Sequence, residues 1–488
     1  VKAPLIGGAY QARSIIADAQ RCLNLFPEVN NKDAPFETTH YPTPGLTLLT
    51  TLASLGPVRG VYTASNGDLF ACAGASVYYI NSSWGAIALG TITYGDTPVS
   101  FSDNNVYCVL VDGGVPPADC GWTINLSTHA FAVWSDPNFL GGGRVVIDDT
   151  FFVLNQPGTQ FFYHSESNLI TFNGLAIAAK TDYQDLLSTI IANRQNLWLF
   201  GTQRATELWY NAGGSPMAFQ QVPSITVEHG CLAKYSAQCI GQGVFWLGVD
   251  EQGSAMVWRG EGYAAKRVST FAIEQAIQKY ADLENTQSFT YQIGGHFFYV
   301  LIFPTADKCW VFDETVGLWH EWCWIDDNGE EHRPRANCHT VAYGKHIVGD
   351  WEDGSIYELS PDVYTDAGDP IIRVRSWPHL LFGIDAQGQP IPSDGKLLIH
   401  DQFIADIQCG TTTDADNEPF CSLRWSDTRG ASWGNAVQQS LGNTGEYLVQ
   451  PQWRQLGMAR DRIYELSWSV AVATGLNGAY VNSRLMGK

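Results

Sequence analysis

Chemistry on this chain would have to begin with its carboxylates, and four adjacent pairs come forward: Asp148 with Asp149, Asp326 with Asp327, Glu330 with Glu331, and Glu352 with Asp353. A glycoside hydrolase needs two carboxyl groups flanking a sugar, with their protonation states driven apart. Neighbouring residues on a strand point to opposite faces, and each pair sits in a turn context containing Gly or Asn, so the pairs are poor partners for one substrate. Asp414 opens the run DADNE, in which alternate oxygens can face a calcium ion in a turn. It lacks the Gly and the distal Glu of an EF-hand loop and reads as a polar tip. The histidines include His320, His332 and His339, with no HExxH or His-x-His spacing, and there is no Gly-x-Ser-x-Gly elbow or Walker loop. The residues predict no catalytic site, no cofactor and no bound metal, hence a protein that is not an enzyme.

One turn has the look of a known motif. The run WSDTRGASW from Trp425 resembles an Asp-box, the Ser-x-Asp-x-Gly-x-Thr-Trp hairpin of sialidases and other carbohydrate-active and viral proteins. Ser426, Gly430, Ser432 and Trp433 match, while Thr428 stands where the Asp belongs. It occurs once and outside the repeats described next, and such turns are folding elements even in enzymes. The 11 cysteines, at 22, 72, 108, 120, 231, 239, 309, 323, 338, 409 and 421, form no CxxC and no metal-ligand spacing. Scattered through strand-like runs, they read as buried reduced thiols of a protein assembled in cytosol.

The elements that would position any site are repetitive. Segments 59–80, 99–113, 144–165, 191–210, 240–260, 291–322 and 341–359 each pair two short apolar-aromatic runs across a polar turn. Their spacing of roughly 40 to 50 residues is that of four-stranded propeller blades, so the expectation is an all-β, seven-bladed β-propeller over 56–365. A propeller hosts many unrelated activities, and the repeat alone leaves function open. Within it, Phe271, Ile273, Ile277, Tyr280 and Leu283 follow a helical period, which predicts an inserted helix over 270–285 with Glu274 and Lys279 on a solvated face. Residues 1–55 read as an N-terminal arm or closing strand. From 366 to 488 longer strands with different spacing predict a separate C-terminal β-sandwich, with Leu398, Ile399, Phe403, Leu423, Trp425, Tyr464, Leu466 and Trp468 in its core.

Charge limits the partners. Only 16% of residues are charged, against an average of about 25%, and 28 Lys and Arg face 49 Asp and Glu, a net charge of −21. Binding to phosphate backbones is driven by Lys and Arg displacing counterions, so a chain this acidic is expected to meet nucleic acid as a wall that does not adhere. The N-terminal residues show no signal-peptide pattern, and no apolar stretch reaches the roughly 18 to 20 residues that span a bilayer, so no membrane anchor is expected.

Asn24-LFPE, Thr43-Pro44-Gly45 and Arg59-Gly60, together with Gly349-DWEDGSIYEL, Tyr364-TDAGDPIIRVR and Trp453-RQLGMARDRIYELSWS, resemble successive parts of the packaged-DNA stabilisation proteins of short-tailed bacteriophages. The similarity runs along essentially the whole chain as order and spacing, departing at Met458–Asp461, where relatives are more basic. The resemblance implies a non-enzymatic tail hub or nozzle protein of the virion, assembled in the bacterial cytoplasm. Its members form a ring, usually a homohexamer, below the portal and adaptor proteins. That ring continues the DNA channel, helps retain the packaged genome, and contacts other tail proteins such as a tail needle or tailspike, while DNA passes without specific binding. The competing expectation is a carbohydrate-binding or glycoside-hydrolase-like β-propeller, suggested by the aromatic residues and the Asp-box-like turn.

Overall fold

The run LFACA carries apolar side chains toward both faces, and the strand it forms, Leu69–Ala73, is buried along its whole length. Moving outward, Ser76–Ile80 keeps most of that burial and Ala86–Thr91 loses it. Inner strands pack between neighbouring sheets while the last one meets solvent, so a deep-to-shallow gradient within each repeat is what a radial arrangement of sheets requires. The turn between the second and third strands needs glycine: Gly74 has φ +53°, and a Cβ there would lie 2.7 Å from the Leu55 carbonyl oxygen.

The computed structural model describes residues 2–486 apart from 6, 195, 251, 327, 385–388 and 412–417. Six four-stranded antiparallel meanders follow one another over 58–91, 100–133, 145–179, 187–227, 238–267 and 287–321. Their first strands stand side by side around one axis and run the same way. Ser100 Oγ donates to Val145 O at 3.2 Å, Ser288 Oγ to Tyr235 O at 3.0 Å and, two residues further, Thr290 Oγ1 to Cys239 O at 3.2 Å. Apolar clusters fill the wedges between sheets, among them Phe70 with Leu110 and Trp122, and Trp198 with Phe200 and Trp246. The architecture is a β-propeller with six blades built from consecutive strands.

One further sheet lies between the sixth blade and the first. Ala336–Ala342, Lys345–Asp350 and Ser355–Ser360 form a meander whose free edge is taken by Gly45–Thr51 from the N-terminal arm, antiparallel to Ser355–Ser360. Its inner strand meets the first blade in parallel, Asn337 Nδ2 donating to Val58 O at 3.1 Å and Thr340 Oγ1 to Thr63 Oγ1 at 3.1 Å. On its other side Val348, Tyr357 and Leu359 pack with Phe289, Tyr291 and Phe298 of the sixth blade.

The helix between the fifth and sixth blades is shorter than its sequence period predicts. It spans Phe271–Ile277, with Thr270 as N-cap, and is followed by a 3-10 turn at Leu283–Asn285. Asp282 adopts φ 54° between them, breaking the helix so that the chain returns to the ring at Gln287. Two expectations on its faces are corrected. Phe271 is 70% exposed, its ring under the Arg267 guanidinium, and Glu274 is 4% exposed, not solvated, because Arg267 and Ser269 donate to it. Lys279 is exposed, as a solvated face requires.

Beyond the sixth blade the strand order continues without a break: Leu318–Glu321, Cys22–Leu23, Arg373–Ser376, Ile463–Trp468, Phe420–Ser426, Val437–Ser440. A second sheet centres on Leu398–Ile407 paired with Leu476–Leu485, and the arm adds Lys2–Pro4 and the hairpin Leu25–Val29 with Thr38–Pro42 to it. The two sheets meet in one core, where Phe403 lies 5.1 Å from Trp377 and 4.6 Å from Tyr464 between ring centroids. Leu398, Phe403, Leu423, Tyr464, Leu466 and Trp468 are buried there, whereas Ile399 and Trp425 are half-buried. Leu398 and Ile399 are neighbours on one strand and cannot both face inward. No helix among the described residues is long and apolar enough to cross a membrane.

Without Gly45–Thr51 the Ser355–Ser360 edge is left unpaired. Deleting residues 1–50 should therefore lower the melting temperature by many degrees in a thermal scan. Leu46→Ala, which empties a buried position beside Leu359, should cost about 2–5 kcal/mol in denaturant unfolding; an unchanged midpoint in both would show that the arm adds nothing to the ring.

Candidate functional site: the central channel

The carboxylates singled out by sequence are dispersed by the fold. Asp148 ends an inner strand, and burial, then the charge of Asp149, push its pKa up to about 6. Asp149, at φ 52°, turns away to accept from Asn211 Nδ2 at 2.8 Å. Asp326 closes its own turn by accepting from the backbone N–H of Asn328 and Glu330, while Asp327 lies outside the described residues. Glu331 binds Arg21 of the arm at 2.7 Å, and Glu330 is exposed. Asp353 accepts from Ser355 N, and Glu352 shares Arg335 with Asp366 and Asp369. Among the described residues, the two members of a pair share no hydrogen-bond or ion-pair partner.

The other described candidates do not converge on one site, and buried His320 has no hydrogen-bond partner on either ring nitrogen. His332 pairs with Asp307 at 2.7 Å, and burial holds His320 down to about 4. In the Asp-box-like turn Ser426 Oγ accepts from the backbone of Thr428 and Gly430, and Thr428 Oγ1 accepts from Ser432 N, standing in for the missing carboxylate. The Trp433 ring lies 4.9 Å from the Arg424 guanidinium. Asp414 lies outside the described residues. The cysteines are free, nine of them buried, and burial raises every thiol. Among the described residues no group of three or more His, Cys, Asp or Glu could hold a metal ion.

What the fold does assemble is a channel. The parallel inner strands enclose a cavity of about 460 Å³; a sphere of that volume is about 10 Å across, and the volume falls within the roughly 300–1,000 Å³ of small-ligand sites. Three cations line it, Arg59, Arg144 and Lys234, and no carboxylate does. Arg59 and Arg144 each adjoin the first residue of an inner strand and Lys234 lies in the loop that leads into Gln238–Ile240, which places them toward one end because those strands run together. Arg144 donates to Ala237 O at 2.7 Å and to Gln238 Oε1 at 3.3 Å. Burial lowers its pKa. Arg59 is spent on the carbonyls of Thr97, Gly74 and Thr93. Lys234 is exposed, its ammonium 4.7 Å from the Tyr235 ring centroid.

The histidine and the two thiols of the lining are held away from their ordinary values. His339 lies against His346 at 3.0 Å, and burial, then that neighbour, hold its pKa down to about 3. The Cys239 and Cys338 thiols are pushed up to about 12. The lining offers positive charge and hydrogen-bonding groups. Sequence reasoning placed Arg144 in a repeat but did not gather it with Lys234, because the two are joined only when blades three and five face one axis. The signal that was available is positional: Arg59 and Arg144 each lie next to the first residue of an inner strand, Val58 and Val145.

Comparison with known proteins gives one family. The model for the family described as Bacteriophage P22 Gp10, beta-propeller, matches residues 1–364. No curated protein matches. Among solved structures, the computationally designed Ika8 protein aligns at 9% identity with a TM-score of 0.41, covering 64% of this chain and 99% of that one. The N-terminal domain of Nup159 aligns at 9% with a TM-score of 0.40, covering 69% and 98%.

Arg335 sits where the closing strand is fastened, its guanidinium over the Trp324 ring and beside Asp366. Burial raises Asp366 to about 7, against the opposing pull of Arg335, and raises Asp350 to about 6. The folded chain thus binds more protons than the unfolded one from the ordinary 3.8 up to about 7, and its stability falls as pH rises through that window. Asp366→Asn removes one such group, so its melting-temperature difference from the parent should shift in its favour between pH 4 and pH 8; a pH-independent difference would mean Asp366 is ionised throughout.

Proposed function

The chain belongs to the P22 Gp10 family of phage packaged-DNA stabilisation proteins, and from that premise we propose that it is a non-enzymatic tail hub or nozzle protein of a short-tailed phage virion. In this reading several copies, six in a homohexamer, form a ring below the portal and adaptor, continue the DNA channel and help retain the genome. The ring also receives the other tail proteins, a tail needle or tailspike among them. Assembly takes place in the host cytoplasm, which suits free, buried thiols.

The observation that carries the proposal is the family match over residues 1–364, which takes in the arm and every blade together. The size of the channel adds a constraint. A cavity of about 460 Å³ admits no duplex, whose major groove alone is about 12 Å wide, so a conduit for DNA has to lie between copies. The sheet of 336–360 with Gly45–Thr51 is then the seventh blade, and 366–488 is a β-sandwich domain that shares its core with the arm and the sixth blade. The carbohydrate reading loses its support, because the hydroxyls of the turn at 426–432 are consumed by that turn's own backbone.

Negative-stain images of the purified protein, or sedimentation, should give a closed ring of several copies. A stable monomer that binds glycans would overturn the proposal.

The acidic balance sets a second test. If the lumen between copies is a wall that DNA slides past, duplex DNA should show no measurable affinity at physiological salt. Tight binding at low salt that falls steeply as salt rises would mean clustered Lys and Arg contact phosphates, and the non-adhering wall would be wrong.

A further inference from the structure

The channel distributes charge against the trend of the chain. It takes three of the 28 Lys and Arg and none of the 49 Asp and Glu. A guanidinium withdrawn from water with only neutral partners is costly, and that cost is relieved when an anion joins it. Arg144 is half-buried, and both of its protein acceptors are neutral. Its fork carries five N–H donors, of which those directed at Ala237 O and Gln238 Oε1 have protein acceptors.

The setting of Arg144 is built. Gln238 is held by donating its Nε2 to Ser288 O at 2.9 Å, and Ser288 Oγ in turn reaches the carbonyls of Tyr235 and Ser236. The same chain of contacts brings Lys234 and Tyr235 beside Gln287, which bridges to Tyr235 through its backbone. Gln287 is 6% exposed, lines the channel, and its Oε1 has no hydrogen-bond partner. An unpartnered buried carboxamide oxygen calls for a ligand that donates to it or, with the amide turned over, accepts from the nitrogen in its place. A ligand carrying both anionic oxygens and a hydroxyl meets both needs, and a hydrogenphosphate ion is the smallest such group. A carboxylate carries the charge without the donor.

We propose that the end of the propeller channel formed by Arg144, Lys234, Gln238 and Gln287 is a binding site for a small phosphate-class oxyanion. Arg144 is the bidentate anchor suited to a planar pair of oxygens, Lys234 the charge at the mouth, and Gln287 the partner of the phosphate hydroxyl. The site lies inside one propeller, so it is independent of how copies assemble and of what passes between them.

The test is binding of inorganic phosphate to the full chain at fixed sodium chloride, followed by calorimetric titration and by broadening of the phosphorus-31 signal. The parent should bind at millimolar concentration or below. Lys234→Gln, an exposed position whose replacement leaves the fold intact, should weaken binding about tenfold, the loss of about 1.4 kcal/mol, and Arg144→Lys should weaken it at least as much. Arg144→Gln, checked for folding by circular dichroism, should abolish it. Sodium acetate in place of phosphate should bind more weakly. Absence of phosphate binding in the folded parent, binding unchanged by Lys234→Gln and Arg144→Lys, or a preference for acetate would each overturn the assignment.

Discussion

A ring of sheets has to join its ends, and that constraint organises the rest of this molecule. The meander of 336–360 reaches the first blade with only three strands of its own, and an open edge there would expose a row of unpaired N–H and C=O groups. The N-terminal strand Gly45–Thr51 fills it, and Thr365–Asp366 adds parallel to the same strand at Leu46. The ring is thereby closed by residues far apart in sequence. Opening it means breaking contacts at both ends of the propeller's chain at once, and each end holds the other in register.

The rest of the arm extends that logic outward. Cys22–Leu23 is two residues long, yet it joins Leu318–Glu321 of the sixth blade to Arg373–Ser376, so one sheet runs from the propeller into the C-terminal strands. Arg375 fixes this junction from inside the core. Its guanidinium donates to the carbonyls of Gly7, Gly8 and Arg21 and to Gln20 Oε1, and burial lowers its pKa. Carbonyl acceptors hold a buried guanidinium in one place without adding a second buried charge. Arm, sixth blade and C-terminal strands therefore share a core through Trp319, Trp377 and Phe403.

How much of this was legible depends on the range of the signal. The blades were readable because their evidence is local: alternating or continuous apolar runs such as HFFYVLIF, separated by turns, repeat along the chain. The helix was readable in kind but not in length, since its apolar period continues through Tyr280 while Asp282 supplies a left-handed break. Glu274 misled because its partner Arg267 lies on the strand before the helix, outside any helical wheel. Ile399 failed because strand parity was not applied to it, whereas Trp425 shares the face of Leu423 and packs against the core while remaining half-buried near the end of its strand. The placement of the arm had no local signal, because a two-residue strand pairing across about 300 positions leaves none. The channel cations were visible as residues and invisible as a group, since only the closed ring brings Arg144 and Lys234 together.

Charge is where sequence totals and structure diverge most usefully. A net charge of −21 describes the outside of the molecule, where most of its carboxylates meet solvent, and says nothing about the axis of the propeller. Exposed charges farther apart than about 10 Å are screened from one another at 0.1 M salt, so the outer carboxylates neither neutralise the channel cations nor advertise them. Electrostatic behaviour at the surface and in the channel can therefore be set separately. The interior of each propeller is left free to carry the opposite sign, in a space too small for a duplex and wide enough for an ion.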